Sequence, residues 1–138
     1  MKKVVPIFLA FVGLIFSHGT IASGDGGGGK GGGANGNYLE ITPPFVVNMP
    51  DSKRSRFMQV TVAVSAKNEE TLKGISVHAP LIRNNLILLF TNQTADVATS
   101  REVREKLRKD AEETINKALK EVGLAPIDAL YFTNLVIQ

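Results

Sequence analysis

Hydrophobic and polar positions alternate most clearly between Phe57 and Ala66. Met58, Val60, Val62 and Val64 fall on one side and Gln59, Thr61, Ala63 and Ser65 on the other. That period of two predicts a strand with one buried face. A shorter alternation runs through Tyr38–Val47, with Tyr38, Glu40 and Thr42 set against Leu39 and Ile41, and it is broken by Pro43-Pro44. Two residues without an N–H cannot serve a central ladder, so this segment predicts an edge strand. Asn48–Ser55 (NMPDSKRS) has turn chemistry. Leu130–Ile137 is rich in aromatic and branched residues and predicts a well-buried strand.

The period changes to that of a helix between Ser100 and Val122. Val103, Leu107, Ala111, Ile115, Ala118, Leu119 and Val122 trace one apolar stripe. Thr99 with Glu102 forms a capping-box pattern at the start, and Gly123 provides a stop. Glu102/Lys106, Glu105/Lys109 and Glu113/Lys117 are spaced to pair across one turn. Pro80 fits the first turn of a second helix, on which Ile82, Leu86, Leu89 and Phe90 share a face. The Leu86–Phe90 run by itself suits a buried helix or a strand. Lys67–Lys73 reads as a charged turn or a single helical turn, Ile75–Ala79 as a short stretch before Pro80, and Asn92–Ala98 as a loop. The elements predict an α+β fold: one small domain, an antiparallel or mixed sheet, and a long amphipathic helix.

The first third of the chain has a different composition. Met1-Lys2-Lys3 precedes thirteen residues, Val4–Phe16, without a charge, and small residues follow up to Ala22-Ser23. This is the layout of a secretory signal cut after Ala22, or of an uncleaved signal anchor, over residues 1–22. Thirteen helical residues rise about 20 Å, short of the roughly 30 Å hydrocarbon core, whereas Val4–Ala22 rises about 28 Å. Either way Lys2 and Lys3 stay inside and the domain is exported. Residues 23–37 form a Gly-rich linker, and nine of the chain's 13 glycines lie between Gly24 and Gly36. Gly24–Gly29 spells G-x-G-x-x-G and Gly24–Lys30 spells G-x-x-x-x-G-K, but no strand precedes and no helix follows. A phosphate cradle needs both, so the two matches are products of low complexity.

Charge and chemistry narrow the function. The formal charge is +3, yet Asn37–Gln138 holds 13 basic and 12 acidic residues, so the domain is close to neutral and carries no nucleic-acid footprint. With no Cys there is no disulfide, thiolate site or lipidated cysteine. His18 lies in the export segment and His78 stands alone, so the mature chain offers no multi-histidine metal set; a Ser-His-Asp site could form only around His78, and the sequence has no G-x-S-x-G. No cofactor is expected. Lys53-Arg54-Ser55-Arg56 is the one basic cluster. These features point to a binding or structural module.

Four segments carry a resemblance. Tyr38–Asn48, ending Pro44-Phe45-Val46-Val47-Asn48, resembles the opening of the flagellar basal-body-associated FliL family. Pro80–Asn84 resembles its P-x-I-R-D step, Leu107–Asp110 with Ile115-Asn116 its central helix, and Leu130–Gln138 its closing strand. The segments keep the family's order across residues 38–138. Asn84 departs from the family's Asp, Leu135 from its Phe, and Val103 stands after Glu102 where the family has Gly.

The resemblance implies a domain similar to the stomatin/prohibitin type on the periplasmic side of the inner membrane, at the flagellar basal body. It implies homo-oligomeric rings, stator binding, and support of rotation in motility and chemotaxis, without enzymatic activity. Arg83, Asn84, Lys53, Arg54 and Arg56 are candidate interface residues, with local capping or pairing as the other reading of Arg83. Pro44, Phe45, Asn48, Pro80, Asn116 and Gln138 are expected to define the fold. The competing expectation is a periplasmic small-ligand or enzymatic domain with a pocket near His78.

Overall fold

The computed structural model describes residues 37–50 and 55–138. The signal or anchor with its Ala22-Ser23 cut, the glycine linker up to Gly36, and Lys53 and Arg54 of the basic turn lie outside these residues.

Strands β1 (Asn37–Met49), β2 (Arg56–Ala66) and β3 (Ala129–Ile137) form one antiparallel sheet in the order β1-β2-β3. The alternating segment Phe57–Ala66 is thus the central strand, and Met58, Val60, Val62 and Val64 are fully buried. The Pro-containing segment is an edge strand, as its missing N–H groups require. Ile41 pairs with Val62 and Phe45 with Val60, so Thr42, Pro43 and Pro44 bulge from the ladder. The Thr42–Pro43 peptide is cis.

Four helices lie between β2 and β3 in sequence: α1 (Glu69–Val77), α2 (Ala79–Thr91), α3 (Asp96–Thr99) and α4 (Arg101–Glu121). They cover one face of the sheet. Ile75 of α1, Ile82, Leu86 and Phe90 of α2, Val97 of α3, and Leu107, Ala111, Ile115, Ala118 and Leu119 of α4 meet the inward row of the strands. Phe90 sits at the centre, edge-on to Phe45 at 5.3 Å and to Phe132 at 6.1 Å. Ile82, Leu86 and Phe90 recur every four residues and are buried together, so the ambiguous apolar run is helical.

Five expectations are corrected. Lys67–Ala79 contains a nine-residue helix, capped by Asn68, whose side chain accepts from the Glu70 N–H at 2.8 Å. Gly74 conceals that helix in the sequence; it is buried against the Leu124 side chain, where a Cβ would collide. The α4 cap is Ser100, not Thr99: its Oγ accepts from the Val103 N–H at 3.3 Å, and Glu102 bonds the same hydroxyl. Thr99 instead ends α3, the single turn inside the expected loop.

The fourth correction concerns ion pairs. Among the described residues, those on α4 are Lys106–Asp110, Arg108–Glu105 and Arg108–Glu112, and none is an expected pair. Arg108 wins Glu105 because it also reaches the Leu130 carbonyl and is held partly out of water. Finally, β3 is not well buried. It is the second edge strand, and because helices cover only one face of the sheet its outward residues Tyr131 and Val136 are exposed. The stop at Gly123 is as expected: φ is +76°, Leu124 N–H donates to Leu119 O, and Gly123 N–H donates to Lys120 O.

Candidate functional site

Arg83 stands on the second turn of α2, beneath the bulge of β1. Its Nη1 donates to the Pro43 carbonyl at 2.7 Å, and its guanidinium lies 4.3 Å from the centre of the Phe45 ring. Pro43 and Pro44 remove ladder donors, so the bulge has to be tied down from elsewhere, and Arg83 supplies that tie. The P-x-I-R step thereby acquires a physical meaning. Pro80 opens α2, Ile82 turns into the core, and Arg83 reaches back to the strand. Asn84, the next residue, is exposed and makes no side-chain hydrogen bond among the described residues.

The other family-pattern residues separate into two groups. Phe45 is buried at 1% exposure against Phe90. Asn116 Oδ1 accepts from the Ile127 N–H at 2.9 Å, fixing the loop from α4 to β3. Gln138 closes the β2–β3 ladder, donating to Phe57 O at 2.9 Å and accepting from Phe57 N–H at 2.8 Å. Pro44 and Asn48, by contrast, are exposed on β1. Arg56 is exposed at the start of β2, beside a shallow hollow shared with Asp96, Thr99 and Gln138. Among the described residues no hydrogen bond or ion pair joins it to Arg83.

His78 joins α1 to α2. Its N–H donates to Gly74 O at 2.8 Å and its carbonyl accepts from Ile82 N–H at 3.1 Å. A cleft of about 240 Å³ opens nearby, between Leu39–Thr42 of β1 and Ile75, Ala79 and Ile82 of the two helices. His78 does not line it, and Glu40 is the one ionisable side chain that does. Among the described residues, no three His, Cys, Asp or Glu side chains are gathered as a metal site would require.

The strongest electrostatic feature is on α4. The Arg108 guanidinium donates to Glu105, Glu112 and the Leu130 carbonyl at 2.8–3.1 Å. Its hydrogen bonds to Glu105, then to Glu112, hold its pKa above the ordinary arginine value, and the one Glu105 accepts holds that carboxyl below its usual range. This is a strut between helix and edge strand. The sequence concealed it, because the tie to Leu130 spans 22 residues.

Two exposed apolar surfaces were equally invisible in the sequence. On the outer sheet face, Tyr38, Val46, Phe57, Tyr131 and Val136 are 38–62% exposed, and the rings of Tyr38 and Tyr131 meet at 6.0 Å across β2. On the helical side, Val77, Leu81, Ile87 and Leu88 are exposed. Among the described residues no helix is long and apolar enough to cross a membrane.

Residues 38–138 match the model of the family described as flagellar basal body-associated protein FliL. The chain is 28% identical over 103 residues to the flagellar protein FliL of Aquifex aeolicus, covering 75% of this chain and 62% of that protein. It is 23% identical over 94 residues to the flagellar protein LafL of Vibrio parahaemolyticus, covering 67% and 57%. With the flagellar protein FliL of Escherichia coli K12 it shares 31% over 75 residues, covering 54% and 47%. The chain therefore spans about half to three fifths of the length of these relatives. The family match extends over the entire sheet-and-helix domain, from the first tyrosine of β1 to the glutamine that closes β3, and the chain belongs to the flagellar basal body-associated FliL family.

Proposed function

We propose that this protein is a non-enzymatic accessory of the flagellar motor, held on the periplasmic side of the inner membrane, that self-associates and contacts the stator to support rotation. The observation that carries the reading is the family match across the complete domain of residues 38–138. Two features of the molecule suit it. The domain presents exposed apolar surfaces on both its sheet side and its helix side, which repeated copies and a second protein could occupy at once. Its conspicuous charged side chains, Arg83 and Arg108, are engaged in holding strands to helices.

The test is deletion of the gene, followed by swimming speed in media of rising viscosity and by crosslinking of the tagged protein to stator subunits in cells. The reading expects lower speed at high load and crosslinks that include copies of the protein itself. Unchanged load response together with absence from the basal body would refute it.

A further inference from the structure

The outer edge of β1 is built to accept a strand. Asn37–Ile41 pair with Ala66–Val62 on one side, and among the described residues no other backbone group bonds Asn37–Thr42. Alternate N–H and C=O groups of this half-strand therefore point away from β2 without a partner among the described residues. The bulge interrupts this edge. Pro43 and Pro44 have no N–H, and the Pro43 carbonyl is taken by Arg83. The stretch before the two prolines, Asn37–Thr42, is six residues long, the length of a short recognition segment.

The cleft of about 240 Å³ lies along this open stretch, with Ile75, Ala79 and Ile82 as its apolar wall and room for an aliphatic side chain. A strand edge beside a helix-walled apolar groove is the arrangement by which extended peptides are bound: backbone hydrogen bonds hold them and alternate side chains enter the groove. Glu40 adds a sign. It is exposed, it faces away from the core between the inward Leu39 and Ile41, and it has no ion-pair partner among the described residues. A residue directly opposite Glu40 on an added strand stands about 5 Å from it, where unlike charges attract and like charges repel.

We propose that the Asn37–Thr42 edge of β1 captures an extended peptide segment of a partner protein, with the pattern apolar–basic–apolar. The basic side chain meets Glu40, and a flanking aliphatic side chain enters the Ile75–Ala79–Ile82 cleft. The proposal is independent of the motor role, because it rests on edge, cleft and charge alone.

The experiment uses the full 138-residue chain, isotope-labelled and in detergent. The probe is the blocked pentapeptide Ser-Val-Lys-Val-Ser, with Ser-Val-Glu-Val-Ser as its control. The Lys peptide should give saturable amide shifts confined to Leu39–Thr42 and Ile75–Ile82, with slowed hydrogen exchange at Leu39–Thr42. The Glu peptide should bind about threefold more weakly. Glu40→Lys should invert that preference, and Ala79→Leu, which fills the cleft, should abolish binding of both while the amide spectrum stays folded. Three results each overturn the proposal: no saturable shift at low-millimolar peptide, a preference unmoved by Glu40→Lys, or protection of Leu39–Thr42 that rises with protein concentration without peptide. The last would mean that a second copy fills the edge.

Discussion

Replacing Arg83 with alanine separates its two possible duties, clamp and contact residue. As a clamp it makes two interactions that can be valued. The hydrogen bond to the Pro43 carbonyl is short and charge-assisted, but water can reach the carbonyl once the side chain is gone, so its net worth is about 1–1.5 kcal/mol. The guanidinium over Phe45 at 4.3 Å contributes about 0.5–1 kcal/mol at a half-exposed position. Arg83→Ala should therefore cost about 2 kcal/mol, which for a domain of this size lowers Tm by roughly 8–12 °C.

Arg83→Lys should recover less than half, because an ammonium on a flexible stem cannot both reach the carbonyl and lie flat on the ring. Urea unfolding of the two variants, and of Phe45→Leu with and without Arg83→Ala, supplies the numbers. The double-mutant cycle should return a coupling of about 0.5–1 kcal/mol between Arg83 and the ring. If Arg83→Ala changes stability by less than about 0.5 kcal/mol, the clamp is not what holds the bulge, and the contact role would take its place.

Three further outcomes follow from the same geometry. Ser100→Ala should lose about 1 kcal/mol while Thr99→Ala changes little, an order that urea melts can read and that the sequence-based capping box reverses. Leu86→Ala, at a position with no exposure under the sheet, should lose about 2–5 kcal/mol by the same measurement. The depressed carboxyl of Glu105 binds its proton less readily in the folded than in the unfolded chain. Its contribution is therefore complete above the ordinary carboxylate value of 4.5 and is lost as pH falls below it; thermal melts between pH 7 and pH 3 should fall less steeply in Glu105→Gln than in the parent.

Local pattern was enough wherever one residue's neighbours in sequence are also its neighbours in space. The alternation of Met58, Val60, Val62 and Val64 determined the central strand, the 3.6-residue stripe from Val103 to Leu119 determined α4, and Gly123 with its positive φ determined where α4 stops. Pro43-Pro44 determined that β1 is an edge, since a missing N–H is a property of the residue itself. The four family segments likewise identified the domain over residues 38–138.

Tertiary structure decided what depends on residues far apart in the chain. α1 escaped because Thr71 and Gly74, two of its three buried residues, are not apolar markers, and Gly74 is small only because Leu124 packs against it. Arg108 chose Glu105 and the Leu130 carbonyl over the expected pairings because β3 lies beside α4. The exposure of Tyr131 and Val136 could not be read from a strand rich in aromatic and branched residues, since composition does not say whether one face of a sheet is covered or two. The cleft beside β1 is likewise left to the fold, because its walls come from β1, α1 and α2, which only the packed molecule brings together.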